Sequence, residues 1–426
     1  MWTRYRLSVF SVVFVLSAVH ASAQVITNTD LPLIGNAVSN SAFAINNVGD
    51  AVGNSVHATA PINRAAVWRN HVGVELDLGC PTCNSTASDI NDFGDIVGGI
   101  GPGNVPQGHG FLWRNGVTTL LPPLPGDTSA HARGINNLGV IVGQSIGPNG
   151  SRAVRWINGV PQDLGNFGAN GPSFGIAEAV NDQGVIVGQT SITGTGNQAF
   201  RWENGVMSIL GTLPVGTCPA ISTATGINAN GVIVGQSEAG STYPDCFLKA
   251  VRWVNGVIEE LPSGTLATAY DINANGDIVG ITNSGPSTPQ IATLWSNGQA
   301  IPLGVLPGFL FSIASDINDA GVIAARSVTQ GGTVFRAYTV TVTPEDAATL
   351  AEDLLAAVTG VGPGKSLENK MRAVIDSLAN GQTADACAQL QAFINEVNAQ
   401  TGKKITAAQA AAFVAAALDI RAAIGC

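Results

Sequence analysis

Short runs of alternating apolar and polar residues fill the chain from Val25 to Val342, and they return on a fixed period. Alternation of this kind is the signature of half-buried β-strands. Each return is marked by an apolar–Asn pair: Ile45-Asn46, Ile90-Asn91, Ile135-Asn136, Val180-Asn181, Ile227-Asn228, Ile272-Asn273 and Ile317-Asn318, at steps of 45, 45, 45, 47, 45 and 45 residues. Gly stands three residues after every one of these Asn, from Gly49 to Gly321. Six copies then carry Val-Gly, as at Gly143, while the seventh has Ala324-Ala325. Trp68, Trp113, Trp156, Trp202, Trp253 and Trp295 follow, most of them just before an Asn-Gly pair. Asn-Gly is a strong short hairpin signal.

Each copy therefore reads as two hairpins with strands a to d. Strand a ends at the Asn, strand b runs into the Val-Gly, strand c carries the Trp, and strand d follows the Asn-Gly turn. Four strands every 45 residues is the period of a propeller blade. The seventh copy lacks a Trp, an Asn-Gly and a strand d, whereas Val25 to Leu33 has no blade of its own. Asp30-Leu31 precedes Asn46 by nearly the interval that Asp163-Leu164 keeps before Asn181. The N-terminal segment is thus expected to supply the missing strand d and remove a free sheet edge. The fold class expected is mostly β: a seven-bladed propeller of four-stranded blades over 24–342.

Composition changes after Val342. Thr343-Pro344-Glu345 reads as a helix start with Pro in the first turn. Leu350, Leu354 and Val358 space one apolar face; Leu367, Met371, Ile375 and Leu378 a second; Leu390, Phe393, Ile394 and Val397 a third. Thr406 with Gln409 is a capping box for an Ala-rich fourth helix that ends near Ile424. Residues 343–426 are expected to form a small four-helix domain.

Residues 1–23 read as a signal peptide, with Arg4 and Arg6 before the apolar run Leu7 to Val19 and the small residues Ala21-Ser22-Ala23 at the cleavage point. No further segment reads as a membrane span, so the mature chain is expected to be secreted, periplasmic or on the cell surface. All six Cys lie after the leader, as suits an oxidising compartment. The architecture selects one pairing. Cys80 and Cys83 share a d–a loop. Cys218 and Cys246 lie in a d–a and a b–c loop of one copy. Cys387 near the start of helix three and Cys426 past helix four meet if those helices are antiparallel neighbours. The net charge of −10 and the 11% of charged residues argue against nucleic acid, which needs basic patches.

The recurring Gly226-Ile227-Asn228-Ala229-Asn230-Gly231-Val232-Ile233-Val234-Gly235 and later Gln198-Ala199-Phe200-Arg201-Trp202 resemble the HAF-type extracellular repeat family over 36–340, although His109-Gly110-Phe111 and Gln198-Ala199-Phe200 depart from the His-Ala-Phe triplet behind its name. That resemblance implies a secreted β-repeat protein and carries no catalytic residues. Lys365–Lys370, Leu390–Val397 and Gln400–Lys403 resemble the FIMAH domain of secreted bacterial proteins, which implies an accessory module.

Two catalytic motifs occur out of context. Thr359 to Ser366 reads TGVGPGKS, near a P-loop, yet a helix and not a strand precedes it. Gly143-Gln144-Ser145-Ile146-Gly147 fits GxSxG, but on strand b rather than at a strand-to-helix elbow. Asp50, Asp95 and Asp277 follow turn Gly residues singly, too sparse for calcium. No motif points to a cofactor or metal. The b–c and d–a connections, such as 54–64, 144–152 and 236–249, read as long and irregular, and variable loops on a rigid scaffold carry recognition. The expected function is a binding module with its ligand, a glycan or an envelope protein, on that face. The candidate residues are His57, His109, Asp127, His131, Phe167, Glu238, Tyr243 and Asp245, with the three His read as loop residues. A carbohydrate-active hydrolase or lyase using Asp127, Glu238 or Asp245, and a surface-assembly protein, are the alternatives.

Overall fold

The computed structural model describes residues 24–58, 62–102, 108–167, 174–192, 196–240, 246–283, 285, 288–362 and 364–426. The expected leader and the candidates Tyr243 and Asp245 lie outside them. Ile26–Val342 makes one compact unit and Thr343–Cys426 another.

The first unit is seven four-stranded antiparallel sheets. Blade 3 shows the plan: strand a Ser129–Ile135, b Ile141–Gly147, c Gly150–Ile157 and d Val160–Asp163. Asn158 and Gly159 turn c into d at φ 52° and 78°, left-handed values that Asn and Gly tolerate. Strand a is bulged between Ala132 and Gly134, which brings its backbone against strand b. A Cβ on Gly143 would stand 2.0 Å from the His131 carbonyl oxygen, so the Val-Gly position needs glycine there. The core lies between blades. Val97 and Leu121 of blade 2 share a buried cluster with Ile141, Val154 and Trp156 of blade 3. Trp156 Nε1 donates to the Pro122 carbonyl at 2.8 Å and pins the d–a connection. Truncating a Trp buried this way costs about 3–5 kcal/mol.

Blade 7 closes as the sequence expects. Its strands a to c are Phe311–Ile317, Ile323–Val328 and Phe335–Pro344, and Gln24–Asp30 pairs with the last of these as strand d. Asn40 of blade 1 clasps the junction: its Nδ2 donates to the Leu31 carbonyl at 2.8 Å and its Oδ1 accepts from the Ala337 amide at 3.0 Å.

The repeated Asn forms a ring around the axis. Asn46 Nδ2 donates to the Asn91 carbonyl at 3.0 Å, Asn91 to Asn136 at 3.2 Å, Asn136 to Asn181 at 2.9 Å and Asn181 to Asn228 at 3.1 Å. Asn228 continues to Asn273 at 3.0 Å, Asn273 to Asn318 at 3.2 Å, and Asn318 returns to Asn46 at 3.0 Å. The other end of each amide holds its own turn; Asn136 Oδ1 accepts from the Leu138 and Val140 amides at 3.1 and 2.8 Å.

The expectation of long b–c loops is corrected in three blades. In blade 3 the b–c connection read as 144–152 is a two-residue turn, because Gly147 pairs directly with Gly150. Strand b likewise runs on to His57 in blade 1 and to Ala239 in blade 5. Alternation continues past the Val-Gly: Ser55, Ser145 and Ser237 are buried, and their hydroxyls act inside the sheet stack.

The second unit has helices α1 Ala347–Val358, α2 Ser366–Ala379, α3 Thr383–Gln400 and α4 Ala407–Ile424. Pro344 ends a strand instead of opening α1, and Asp346 is the cap, its Oδ1 accepting from Ala348 and Thr349 amides at 3.0 and 2.9 Å. A short side-chain acceptor satisfies those amides, which Pro cannot. The Thr406–Gln409 capping box is present in full. Leu354, Met371, Val374, Phe393, Val397 and Phe413 share one buried core; Val374 takes the place expected for Ile375, which is half-buried. By length and composition α4 is apolar enough to cross a membrane, contrary to the expectation of no such segment after the leader. Most of that apolarity is alanine, and Phe413, Ala417 and Ile420 are buried in the bundle. The disulfides are Cys80–Cys83, Cys218–Cys246 and Cys387–Cys426, the pairing expected from the architecture.

Candidate functional site

The a–b and c–d turns share one face of the ring, and the b–c and d–a connections the other. On that second face a pocket of about 330 Å³ opens between blades 2 and 3. Strand a of blade 2 brings Asn84 and Thr86, strand c of the same blade begins with His109, and blade 3 brings Ser129, His131 and Gln144. Ile100 and Ile146 supply apolar surface. Glycine makes the space. Gly99 occupies the place that Gln144, Gln189 and Gln236 hold in other blades, and a Cβ there would lie 2.8 Å from His131 Nε2.

No Asp, Glu, Lys or Arg lines this pocket among the described residues. Burial, with the Arg133 charge on the same strand, pushes His131 down to about 4, so its imidazole is neutral near pH 7 and offers one N–H and one lone pair. Ser88 Oγ stands 3.5 Å from its Nε2. The Gln144 carbonyl oxygen accepts from Ser151 Oγ at 3.2 Å, which orients the amide. The arrangement suits a neutral ligand with many hydroxyls.

The structure thus unites His109 and His131 and disperses the other candidates. His57, His109 and His131 are corrected from loops to strands: they end strand b of blade 1, open strand c of blade 2 and sit within strand a of blade 3. Strand alternation extends further than the turn residues suggest. His57 is bonded to Glu75, which also accepts from Ser55 Oγ at 2.6 Å. Asp127 is nearly buried and anchors its loop, accepting from Ser145 Oγ at 2.6 Å and Arg152 Nη2 at 2.8 Å. Phe167 pairs with Ile192 in an isolated bridge and is 42% exposed. Glu238 lies on strand b of blade 5, two blades from Asp127. Asp50 and Asp95 hold Arg69 and Arg114, and Asp277 accepts from Ser296 Oγ at 2.6 Å.

Sequence reasoning missed the axis. On the short-turn face a recess of about 230 Å³ is lined by strand a of all seven blades. Asp89, Asp271 and Asp316, each two places before the ring Asn, enter it, as do Asp92, Asp182 and Asp319 one place after. Burial, then the Asp316 charge, pushes Asp89 up to about 8 against hydrogen bonds from the Ile135 and Ile90 amides. Burial and Asp316 also push Asp271 well above the usual carboxylate range. Asn47 Nδ2 bridges Asp92 and Asp319 at 3.2 Å each. Asn137 Nδ2 bridges Asp92 and Asp182 at 2.9 and 3.3 Å. Among the described residues no three His, Cys, Asp or Glu side chains gather as a metal ion requires. Aligning the repeats on the Asn would have shown acids recurring at these two offsets.

The FIMAH domain family profile matches residues 348–422, which span the four helices. The helical unit is a FIMAH domain. The FIMAH match does not extend to the propeller, whose seven blades agree with the period of the repeats, and it does not show the HAF-type resemblance. No curated protein compared with the chain matches it. Solved structures similar to it include the β-propeller domain of the Trilobed protease from Pyrococcus furiosus, at 11% identity and TM-score 0.46, covering 71% of this chain and 94% of that one. The polysaccharide lyase Uly1 is similar at 10% identity and TM-score 0.43, covering 72% of this chain and 91% of its own. A lectin from Aleuria aurantia is similar at 11% identity and TM-score 0.35, covering 64% and 98%. Likeness at that level transfers neither a site nor an activity.

Proposed function

We propose that this protein is an exported binding module that takes a neutral carbohydrate in the pocket between blades 2 and 3. The observation that carries this reading is an uncharged hydrogen-bonding pocket, built on rigid strands, in which His109 and His131 meet beside Gln144 and Asn84. Amide and imidazole groups beside apolar surface match the hydroxyls and the C–H faces of a sugar ring. Three disulfides favour an oxidising compartment. Acid–base hydrolysis uses paired carboxyl groups, and none lines the pocket among the described residues.

The test is a glycan-binding screen of the mature protein, run beside a hydrolase and lyase assay on the same glycans. Binding of a neutral glycan that weakens by about tenfold or more, or about 1.4 kcal/mol, in His109→Ala and in Gln144→Ala supports the proposal. Turnover abolished by Asp127→Asn or Glu238→Gln replaces it with the enzyme reading. Glycan binding untouched by both pocket substitutions moves the site elsewhere.

A further inference from the structure

The tip of each a–b turn lies two residues after the ring Asn. In blades 1 to 3 the tips are Val48, Phe93 and Leu138, exposed by 70, 75 and 73%. In blades 4 to 7 they are Gln183, Asn230, Asn275 and Ala320. The same turn therefore accepts polar or small residues at that place, and nothing in its geometry asks for a large apolar one. The three turns are bonded to each other through Asn46 and Asn91, so their tips stand side by side on consecutive blades of one face. Isolated apolar residues on a surface are ordinary, but a contiguous group marks an interaction site.

These tips border the axial recess, whose charge selects the occupant. Six Asp line that recess and no Lys, Arg or His does, among the described residues; Asp89 and Asp271 are pushed towards the neutral acid by burial, so the acidic mouth rests on Asp92, Asp182 and Asp319. Asp182 and Asp319 are exposed at its rim. Nucleic acid and anionic membrane surfaces are repelled by such a mouth. A recess of about 230 Å³ has room for one extended cationic side chain. We propose that the short-turn face docks a polypeptide segment of a partner protein that presents a Lys or Arg to the recess and large apolar side chains to Val48, Phe93 and Leu138. The pairing joins a desolvated apolar contact to a charge contact that sets register. It lies on the face opposite the carbohydrate pocket and does not depend on it.

The probe is a short fluorescent peptide of alternating Lys and Leu, titrated into the mature protein by anisotropy. Matched Lys–Ser and Glu–Leu peptides are the controls. Two substituted proteins are compared: one with Val48→Ser, Phe93→Ser and Leu138→Ser, the other with Asp92→Asn, Asp182→Asn and Asp319→Asn. Asn keeps an oxygen for the backbone amides that Asp92, Asp182 and Asp319 accept. Circular dichroism and melting confirm that both sets fold, and Phe93→Ser alone serves where a triple does not. The expected result is saturable binding of the Lys–Leu peptide, weakened about tenfold or more by either set, with neither control binding. No binding of the Lys–Leu peptide, binding indifferent to either set, or equal binding of the Lys–Ser peptide overturns the proposal.

Discussion

Asn136 reports on what the asparagine ring contributes, because its side chain divides into two roles. It is 4% exposed. Its Oδ1 holds the turn through the Leu138 and Val140 amides, and its Nδ2 reaches the next blade at the Asn181 carbonyl. A buried hydrogen bond contributes roughly 0.5–1.5 kcal/mol net. Asn136→Ala removes all three, so it should destabilise the propeller by about 2–4 kcal/mol. Asn136→Asp keeps both turn bonds and sets a carboxylate against the Asn181 carbonyl oxygen. It should cost about 1–3 kcal/mol at pH 7, and less at pH 4, where a protonated Asp donates again. The assay is urea unfolding of the mature chain followed by tryptophan fluorescence at both pH values, with the m-value checked for constancy. If Asn136→Asp is as stable as the native protein at pH 7, the inter-blade donor contributes nothing. If Asn136→Ala costs under about 0.5 kcal/mol, the ring is an accompaniment of the turns and not a cause of closure.

Stability should depend on pH with two opposed slopes. Asp89, raised to about 8 in the fold, binds a proton that the unfolded chain has released; its contribution is complete at low pH and is lost as pH rises towards 8. His131, lowered to about 4, stays neutral where the unfolded chain is charged, so stability is lost as pH falls from about 6.5 to 4. Between about pH 4 and 6.5 the two slopes offset each other, and above 6.5 only that of Asp89 remains, so thermal melts should show Asp89→Asn flattening a decline of about 2 kcal/mol between pH 6.5 and 8, and His131→Gln uncovering a decline below 6.5 that the native protein lacks; an unchanged slope above pH 6.5 would mean that Asp89 is ionised in the fold. Deleting 24–34 takes strand d from blade 7 and removes the buried Leu31. It should lower the melting temperature by on the order of 5 °C or more, whereas a chain ending at Val342 should keep a β-rich melt; a harmless deletion refutes closure by that strand.

Much of this protein is local and was therefore legible along the chain. Asn-Gly pairs turn hairpins because those two residues tolerate left-handed backbone, and their spacing marks the blades at Asn115, Asn158, Asn204, Asn255 and Asn297. Apolar faces at helical spacing and the Thr406–Gln409 box define the FIMAH helices. The absence of a strand d in the seventh copy, set beside an unassigned N-terminal strand, determined the closure. Tertiary structure alone decided where strands stop and what meets across blades. Gly147 and Gly150 close a hairpin that sequence read as a long loop, since turn residues resemble loop residues until pairing is known. His131 became a wall of a pocket because Gly99, on the neighbouring blade, vacates the space its ring fills. Asp89, Asp271 and Asp316 stand far apart in the chain, and only the seven-fold ring places them on one axis. Periodicity along a chain dictates elements one at a time, whereas a site at an axis or between blades depends on how the ring closes, which no single repeat encodes.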